Sequence, residues 1–256
     1  MKYWLIFTGL IFLSACSSEE TVVEPTKTTD SEVVGSTDLK AKAINHIKAQ
    51  LQLTAVDKYD TAWFSQDING DNQVDHIITV NLMDRAINDG IESGKTEKMK
   101  EMGYMGYYNF FFVVDGSTEE ISDAVVVPSS PMFELEVQFA EVLGTGQMDF
   151  YVDYRVRNMQ RRKFYAILNG KTKEICQSVI FDGFGTAKTE AYDIRLEPGT
   201  LNDFNDIVEY EAQLEDRIIP NIDSTYYYSP NITPTDNEIR RWHFAPSQGK
   251  YVMIQK

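Results

Sequence analysis

The chain has 256 residues, of which 43% are hydrophobic and 12% aromatic, so it is long and apolar enough to bury a core. Its 39 acidic residues outnumber its 24 basic residues, which gives a net charge of −15 at pH 7. A surface of this sign repels nucleic acid and anionic lipid headgroups, so it argues against nucleic-acid binding and favours divalent cations as ligands.

The first residues have the pattern of an export signal. Lys2 supplies a positive start, Trp4 to Leu13 is apolar, and Leu13-Ser14-Ala15-Cys16 closes the segment with small residues. The apolar part is too short to span a membrane. The closing tetrad resembles the lipobox of bacterial lipoproteins, which implies removal of residues 1–15 and lipidation of Cys16. The alternative is an ordinary secretory signal in which this cysteine is incidental.

The lipoprotein resemblance implies attachment to a membrane of the cell envelope. Residues 16–37 lack an apolar period and are rich in Ser, Thr and Glu, so they are predicted to form a flexible tether. Ser17 resembles the residue found after the cysteine of outer-membrane lipoproteins, and Glu19-Glu20 resembles a surface-export signal. A plain polar linker explains the same residues equally well. We expect an outer-membrane lipoprotein, either periplasmic or exposed at the surface.

One helix is predicted after the tether, and then a long series of strands. Residues 38–53 carry apolar side chains at helical spacing behind a capping Asp38. From residue 60 onward, segments rich in Val, Ile, Phe and Tyr are bounded by Gly, Asn, Asp and Pro, which is typical of strands. The predicted strands are Thr61–Gln66, Asp75–Met83, Tyr107–Val114, Glu120–Val127, Phe133–Leu143, Asp149–Arg157, Lys163–Leu168, Thr172–Phe181, Glu190–Leu196, Asp206–Leu214, Arg240–Ala245 and Lys250–Gln255.

Two polar segments interrupt the strands, and two dipeptides predict tight turns. Residues 84–105 are charged, with a short helix predicted at Thr96–Met102, and residues 218–238 contain three prolines. Asn169-Gly170 and Asp115-Gly116 predict two-residue hairpin turns. If Cys16 carries lipid, Cys176 has no partner in the chain, so we expect a buried thiol there and no disulfide.

The strongest chemical pattern is Asp67-Ile-Asn-Gly-Asp-Asn-Gln-Val-Asp75. Side-chain oxygens fall at positions 1, 3, 5 and 9, and position 7 offers a backbone carbonyl. Calcium binds several oxygens at once, and alternating residues of a tight loop supply them. The sequence therefore predicts one structural calcium site formed by Asp67, Asn69, Asp71, Gln73 and Asp75. The alternative is a solvated hairpin whose side chains cap their own backbone.

The same loop recurs twice in weaker form. Placing Asp75 over Asp149 also aligns a glycine and a glutamine in the preceding turns, and a third copy ends at Asp206. The later copies lack the oxygen spacing, so we expect turns without metal there. The recurrence divides the chain into three units of about four strands each. Their predicted spans are 60–127, 133–183 and 188–256.

The pattern Asp-x-Asn-Gly-Asp-x-x-x-Asp between two strands resembles the FG-GAP or VCBS-type repeat of integrin α-subunit propellers and bacterial surface proteins. The resemblance implies antiparallel units with calcium bound between two strands. Asn72 stands where the family usually has glycine, and asparagine tolerates the left-handed conformation. Three units fall short of the usual four blades of a small propeller. We therefore expect a mainly β fold of open antiparallel sheets, propeller-like or a sandwich, with one N-terminal helix, forming a single domain over residues 38–256.

Catalytic sequence patterns are weak in this chain. No His-x-x-x-His pair, Gly-x-Ser-x-Gly elbow or phosphate-cradling glycine loop occurs in the sequence, which lowers the case for an enzyme. We expect an envelope protein that binds or scaffolds a protein or glycan partner. Aromatic residues at Tyr226, Tyr227, Tyr228 and Trp242 are candidate contacts for that partner. The alternative is a glycan-processing or other hydrolytic accessory enzyme.

Overall fold

The computed structural model describes residues 37–215 and 228–253, and the predicted mainly β, antiparallel fold class is confirmed. Within these ranges the strands form two antiparallel sheets and do not close into a barrel. The elements in chain order are α1 (Thr37–Gln50), β1 (Asp60–Gln66), β2 (Asp75–Asn81), α2 (Met83–Glu92), α3 (Thr96–Glu101), β3 (Asn109–Val114), β4 (Val125–Val126), β5 (Glu136–Ala140), β6 (Asp149–Val156), β7 (Met159–Leu168), β8 (Lys171–Asp182), β9 (Glu190–Glu197), β10 (Asp206–Leu214), β11 (Ile232–Ala245) and β12 (Lys250–Met253).

Within each sheet, every strand pairs with its neighbours in sequence. The first sheet has the order β1-β2-β3-β4, and the second has the order β12-β11-β10-β9-β8-β7-β6-β5. Within the second sheet, β8 and β9 pair along a short seam, Phe181 with Ala191 and Asp182 with Glu190. The chain therefore runs as three four-stranded meanders, β1–β4, β5–β8 and β9–β12. Such local pairing follows from the short turns between successive strands.

The middle meander packs against the first meander through one of its faces. Phe111 of β3 meets Phe150 of β6 and Tyr165 of β7, with ring centroids 5.7 and 5.0 Å away. Phe150 and Tyr165 stack on each other at 5.2 Å. These rings lie in one apolar core shared by the two sheets. Alternation along β6 places its other side chains on the opposite face.

That opposite face packs against the third meander. Phe164 and Cys176 of the middle meander share a core with Ile207 and Phe244 of the third. Burial raises the pKa of the Cys176 thiol to about 12, so this cysteine is a protonated core side chain at neutral pH. The three meanders are therefore stacked face to face, and the middle one is buried on both sides.

Helix α1 covers the outer face of the first sheet. Its residues Leu39, Ala43 and Ile47 recur every fourth position and pack on Trp63 and Phe112. Strand β2, between the two covered faces, is buried along its whole length. No helix of the described residues combines the length and the apolar character needed to cross a membrane.

Several local predictions need correction. The sequence does not predict helix α2. The apolar stripe of this helix is short, and its charged residues and Gly90 make the helical pattern weak. In the structure Gly90 is buried and faces Met99 of α3, where a Cβ would lie 3.3 Å from the Met99 sulfur. The strand predicted at Arg240–Ala245 is longer, since β11 begins at Ile232. Its first half pairs with β10 through register shifts that accommodate Pro234.

The two predicted hairpin turns differ in outcome. Asn169 (φ 55°) and Gly170 (φ 69°) form the expected two-residue turn between β7 and β8, so this prediction is confirmed. Asp115-Gly116 does not form one. There the Asp115 N–H donates to the Glu120 carbonyl at 3.0 Å, which closes a wider turn.

Candidate functional site

The predicted calcium loop connects β1 to β2. Gly70 (φ 77°) and Asn72 (φ 64°) both adopt left-handed backbone conformations. Glycine takes this conformation freely, and asparagine tolerates it better than most residues with a side chain. These two positions bend the loop sharply.

The side-chain oxygens of this loop accept N–H groups of the loop's own backbone. The Asp67 carboxylate accepts from the residues three and five positions later, at 2.7 and 2.9 Å. Asn69 and Asp71 each accept from the residue two positions later, at 3.0 and 2.8 Å. Gln73 is exposed. Among the described residues, no group of three or more His, Cys, Asp or Glu side chains is arranged to hold a metal ion.

Asp75 ends the loop and is almost fully buried, at 1% exposure. Its carboxylate accepts the N–H groups of Ile68 at 2.9 Å and Gly116 at 2.8 Å. Burial raises the pKa of Asp75, the two hydrogen bonds oppose this shift, and the negative charges of Asp115 and Asp71 add to it. The loop therefore holds a buried carboxylate in a negatively charged setting.

Asp115 is a neighbour of this loop that the sequence does not predict. The amide nitrogen of Asn69 lies 3.5 Å from one Asp75 oxygen and 3.4 Å from one Asp115 oxygen. Pairing of β2 with β3 brings Asp115 there from much further along the chain. An acidic residue directly after a strand is the available signal, and it is too common to identify a site.

Gly116 allows the turn after β3 to pack closely against loop 67–75. A Cβ built at Gly116 would lie 2.1 Å from the Val74 carbonyl oxygen. This is far shorter than any real contact of a Cβ, so the approach of the two backbones requires glycine. The same approach delivers the Gly116 N–H to Asp75.

The three aspartates aligned in the sequence occupy matching places. Asp75, Asp149 and Asp206 each begin the second strand of a meander, and their exposures are 1%, 3% and 1%. Each accepts the backbone N–H of a residue six or seven positions earlier, at 2.9 to 3.1 Å. Each therefore caps the turn that precedes its own strand.

The strand beside each aspartate supplies a different neighbour. The pairs His76–Val114, Phe150–Tyr165 and Ile207–Trp242 fix the three registers. One step further along, these registers place Asp115 beside Asp75, Ala166 beside Asp149 and His243 beside Asp206. The neighbouring position is thus acidic in the first meander, apolar in the second and basic in the third.

These neighbours change how the carboxylates ionise. Burial raises the pKa of Asp149 to about 6. Burial also opposes ionisation of Asp206, but hydrogen bonds from Thr200, His243 and Arg241 outweigh it and lower the pKa. Arg241 lies 3.3 Å from Asp206 and His243 lies 2.9 Å from it. The neighbouring strand β11 therefore supplies a cationic partner to the aspartate of the third turn.

Amide side chains connect the successive turns. Gln147 in the second turn donates to the Ile68 carbonyl in the first at 2.7 Å. Asn205 in the third turn donates to the Glu141 carbonyl in the second at 2.9 Å. These two contacts form a line of side-chain links across all three meanders.

The remaining predicted site residues fall in two groups. Cys16, Tyr226 and Tyr227 lie outside the described residues. Tyr228 donates its hydroxyl to Glu215 at 2.8 Å, and the Trp242 indole donates to Glu209 at 3.2 Å. Both of these side chains are partly buried and contribute to internal packing.

Searches against protein-family models, curated proteins and solved structures return no match to this chain. The first turn offers clustered oxygen acceptors and excess negative charge. Such a set suits binding of a hard cation rather than nucleophilic catalysis.

Proposed function

We propose that this chain is a lipid-anchored protein of the bacterial cell envelope that binds or scaffolds an envelope partner, with calcium bound structurally in loop 67–75. Its lipobox-like tetrad ending at Cys16 supports the anchor. Its net charge of −15 supports a partner other than nucleic acid.

The observation that best supports the binding role is the set of contacts made by the three histidines and by Cys176. His46 bonds to the Ser122 carbonyl at 3.1 Å, and the buried His76 bonds to the Ser65 hydroxyl at 2.9 Å. His243 supports the turn aspartate Asp206, and the Cys176 thiol is held protonated by burial. These groups stabilise the fold, which favours a binding or scaffolding role over catalysis.

The comparison of the three turns supports calcium in the first. Asp206 is offset by a cation of its own chain, and the residue opposite Asp149 on the neighbouring strand is apolar. Asp75 instead lies beside Asp115 and Asp71, which add negative charge. An external cation would relieve this repulsion. Because the loop oxygens are hydrogen-bonded to the backbone and must converge on the ion, we expect a weak site, in the range of about 10⁻⁴ to 10⁻³ M.

Calcium is expected to raise the melting temperature of the wild-type chain. With a dissociation constant of about 1 mM, 10 mM calcium stabilises the folded state by about 1.4 kcal/mol. For a domain of this size that corresponds to about 3–5 °C, measured by calorimetry. Asp71→Asn should abolish the rise. Asp203→Asn removes the same charge from an exposed turn of the third meander and should retain it. The calcium proposal is contradicted if calcium does not raise the melting temperature of the wild type, or if it raises that of Asp71→Asn by the same amount.

Lipid attachment is tested by Cys16→Ser. The wild-type chain is expected to partition with the membrane and into detergent, and the variant is expected to move to the soluble fraction. Cys176→Ala leaves the tetrad intact and should partition like wild type. Unchanged membrane partitioning of Cys16→Ser would rule out the anchor, and a mature N-terminus elsewhere would identify an ordinary secretory signal.

A further inference from the structure

A row of polar residues crosses one end of the first sheet. Asp60 of β1 pairs with Asn81 of β2, and Asn81 pairs with Asn109 of β3. Residues directly opposite each other in antiparallel strands present their side chains on the same face. All three side chains therefore lie together on the face that meets the middle meander. A small cavity of about 10 Å³ opens between them and Leu135.

Asn109 carries a buried acceptor that finds no donor among the described residues. Its side chain lines the cavity and is 1% exposed. The amide nitrogen donates to the Ser129 hydroxyl at 2.9 Å and to the carbonyls of Ser130 and Phe133 at 3.3 Å each. Carbonyls only accept, so they fix which edge of the amide is the NH₂ group. The Oδ1 atom is buried and has no hydrogen-bond donor among the described residues.

Asn81 differs from Asn109 in this respect. Its amide nitrogen donates to the Pro131 carbonyl at 2.7 Å, and its oxygen accepts the Met83 N–H at 2.9 Å. Asn81 is therefore satisfied and serves to fix the start of α2. A buried acceptor without a partner costs on the order of 1–3 kcal/mol, so the Asn109 oxygen is a place where a donor would bind favourably.

A larger open cleft shares two lining residues with the small cavity. Asp60 and Asn81 line both spaces, and the outer cleft measures about 520 Å³. Tyr59 and Met83 also line the cleft, from the segment before β1 and the start of α2. A ligand in this cleft would lie against an aromatic ring and a thioether.

The cleft is lined mainly by negative charge. Asp57, Asp60 and Asp84 line its outer part, and Glu134 lines the inner cavity. Two of these charges are offset by cations of the chain, since Lys58 lies 3.9 Å from Asp84 and Arg85 lies 3.8 Å from Asp57. Asp60 lines both spaces and forms no ion pair with a described residue. The summed field attracts a positively charged ligand.

We propose that this cleft binds the side chain of a lysine presented by a partner protein. An ammonium group supplies the N–H donors that the Asn109 oxygen needs and the charge that Asp60 favours. The inner cavity admits a single non-hydrogen atom, which suits the tip of a slender stem and excludes the three nitrogens of a guanidinium. The apolar stem of the lysine runs along Tyr59 and Met83. This assignment rests on the proposed binding role and gives it a ligand class.

An amine on a sugar fits the same cavity less well. Its nitrogen is attached directly to a ring, which is too bulky to follow the nitrogen into a cavity of about 10 Å³. Lysine places its nitrogen at the end of four methylenes, so only the slender tip has to enter the cavity. The observations therefore favour a protein partner, and glucosamine becomes the contrasting ligand in the test.

The test is a titration of the full chain with n-butylammonium, which reproduces the lysine side chain, followed by backbone amide NMR. Saturable shifts are expected at Asn81 and Asn109, with no comparable shifts from 1-butanol or glucosamine. Asp60→Asn should weaken butylammonium binding about fivefold, and Asp203→Asn should leave it unchanged within about twofold. Asn109→Ala should weaken it about tenfold, and Asp60→Asn carries the test if that variant does not fold.

Three results would overturn the proposal. Butanol shifting the same amides to the same extent would show that the cavity takes any small donor. Glucosamine binding as tightly as butylammonium would indicate a glycan ligand. Equal weakening of butylammonium binding by Asp60→Asn and Asp203→Asn would show that only the overall negative charge of the protein attracts the ligand. The absence of any saturable shift would show that the cleft does not bind it. The titration is done in EDTA and without lipid, so its outcome does not depend on the anchor or on calcium. A negative titration therefore leaves those two proposals unaffected, and their failure does not change the result of the titration.

Discussion

Replacing Phe150 with alanine is expected to lower the free energy of unfolding by about 3–5 kcal/mol. Phe150 is fully buried and contacts Phe111 of the first sheet and Tyr165 of its own sheet. The substitution removes a ring from a core that belongs to both sheets, so it loses the transfer free energy of that ring and leaves a cavity. Urea unfolding followed by tryptophan fluorescence measures the effect, since Trp63 lies in the first sheet.

The matched control is Tyr107→Ala, which truncates an aromatic residue that is 71% exposed. It should change the unfolding free energy by less than about 0.5 kcal/mol. A cost below about 1 kcal/mol for Phe150→Ala would mean that the two sheets do not depend on this contact. A lower slope against urea in Phe150→Ala would show that the meanders no longer unfold together.

Gly116→Ala is expected to cost about 3 kcal/mol or more in unfolding free energy. The added Cβ would meet the Val74 carbonyl at 2.1 Å, and backbone on both sides leaves no flexible group to move away. Relief requires the turn after β3 to separate from loop 67–75. That movement would also withdraw the Gly116 N–H from the buried Asp75 carboxylate.

Gly94→Ala is the control that separates the cost of this steric clash from the cost of replacing a glycine where no atom is in the way. Gly94 has φ 65°, and a Cβ added there would meet no atom within 4 Å, so alanine at this position introduces backbone strain alone. We expect about 1–2 kcal/mol for Gly94→Ala. If calorimetry finds that Gly116→Ala costs no more than Gly94→Ala, the contact between the turn and the loop is dispensable.

Turn chemistry can be predicted from the sequence because it is local. Residue type alone predicts turns at Gly70 and at the Asn169-Gly170 pair, and all three residues have positive φ. Helix α1 is predicted because its apolar stripe repeats at a regular spacing. The alignment of Asp149 and Asp206 with Asp75 also follows from sequence, since a buried capping carboxylate needs the same residue in each copy.

Contacts between meanders cannot be predicted in the same way. Asp115 and Gly116 reach the loop only because β3 pairs with β2, and nothing near them in sequence marks that approach. The sequence predicts a tight hairpin at Gly116, whereas its role is to allow close contact with Val74. The unpartnered oxygen of Asn109 likewise depends on three strands and on the segment before β5. Such features depend on tertiary packing, which outweighs local preference.

The amide links between turns bear on how the molecule responds to tension. In the anchored arrangement proposed above, a pull on a bound partner would pass through the first meander. Gln147 and Asn205 fasten each turn to the one before it, so a meander cannot peel away without breaking a hydrogen bond made by the next. The shared cores lie alongside these links and are loaded in parallel with them. The three meanders would therefore resist extension together instead of unfolding one after another.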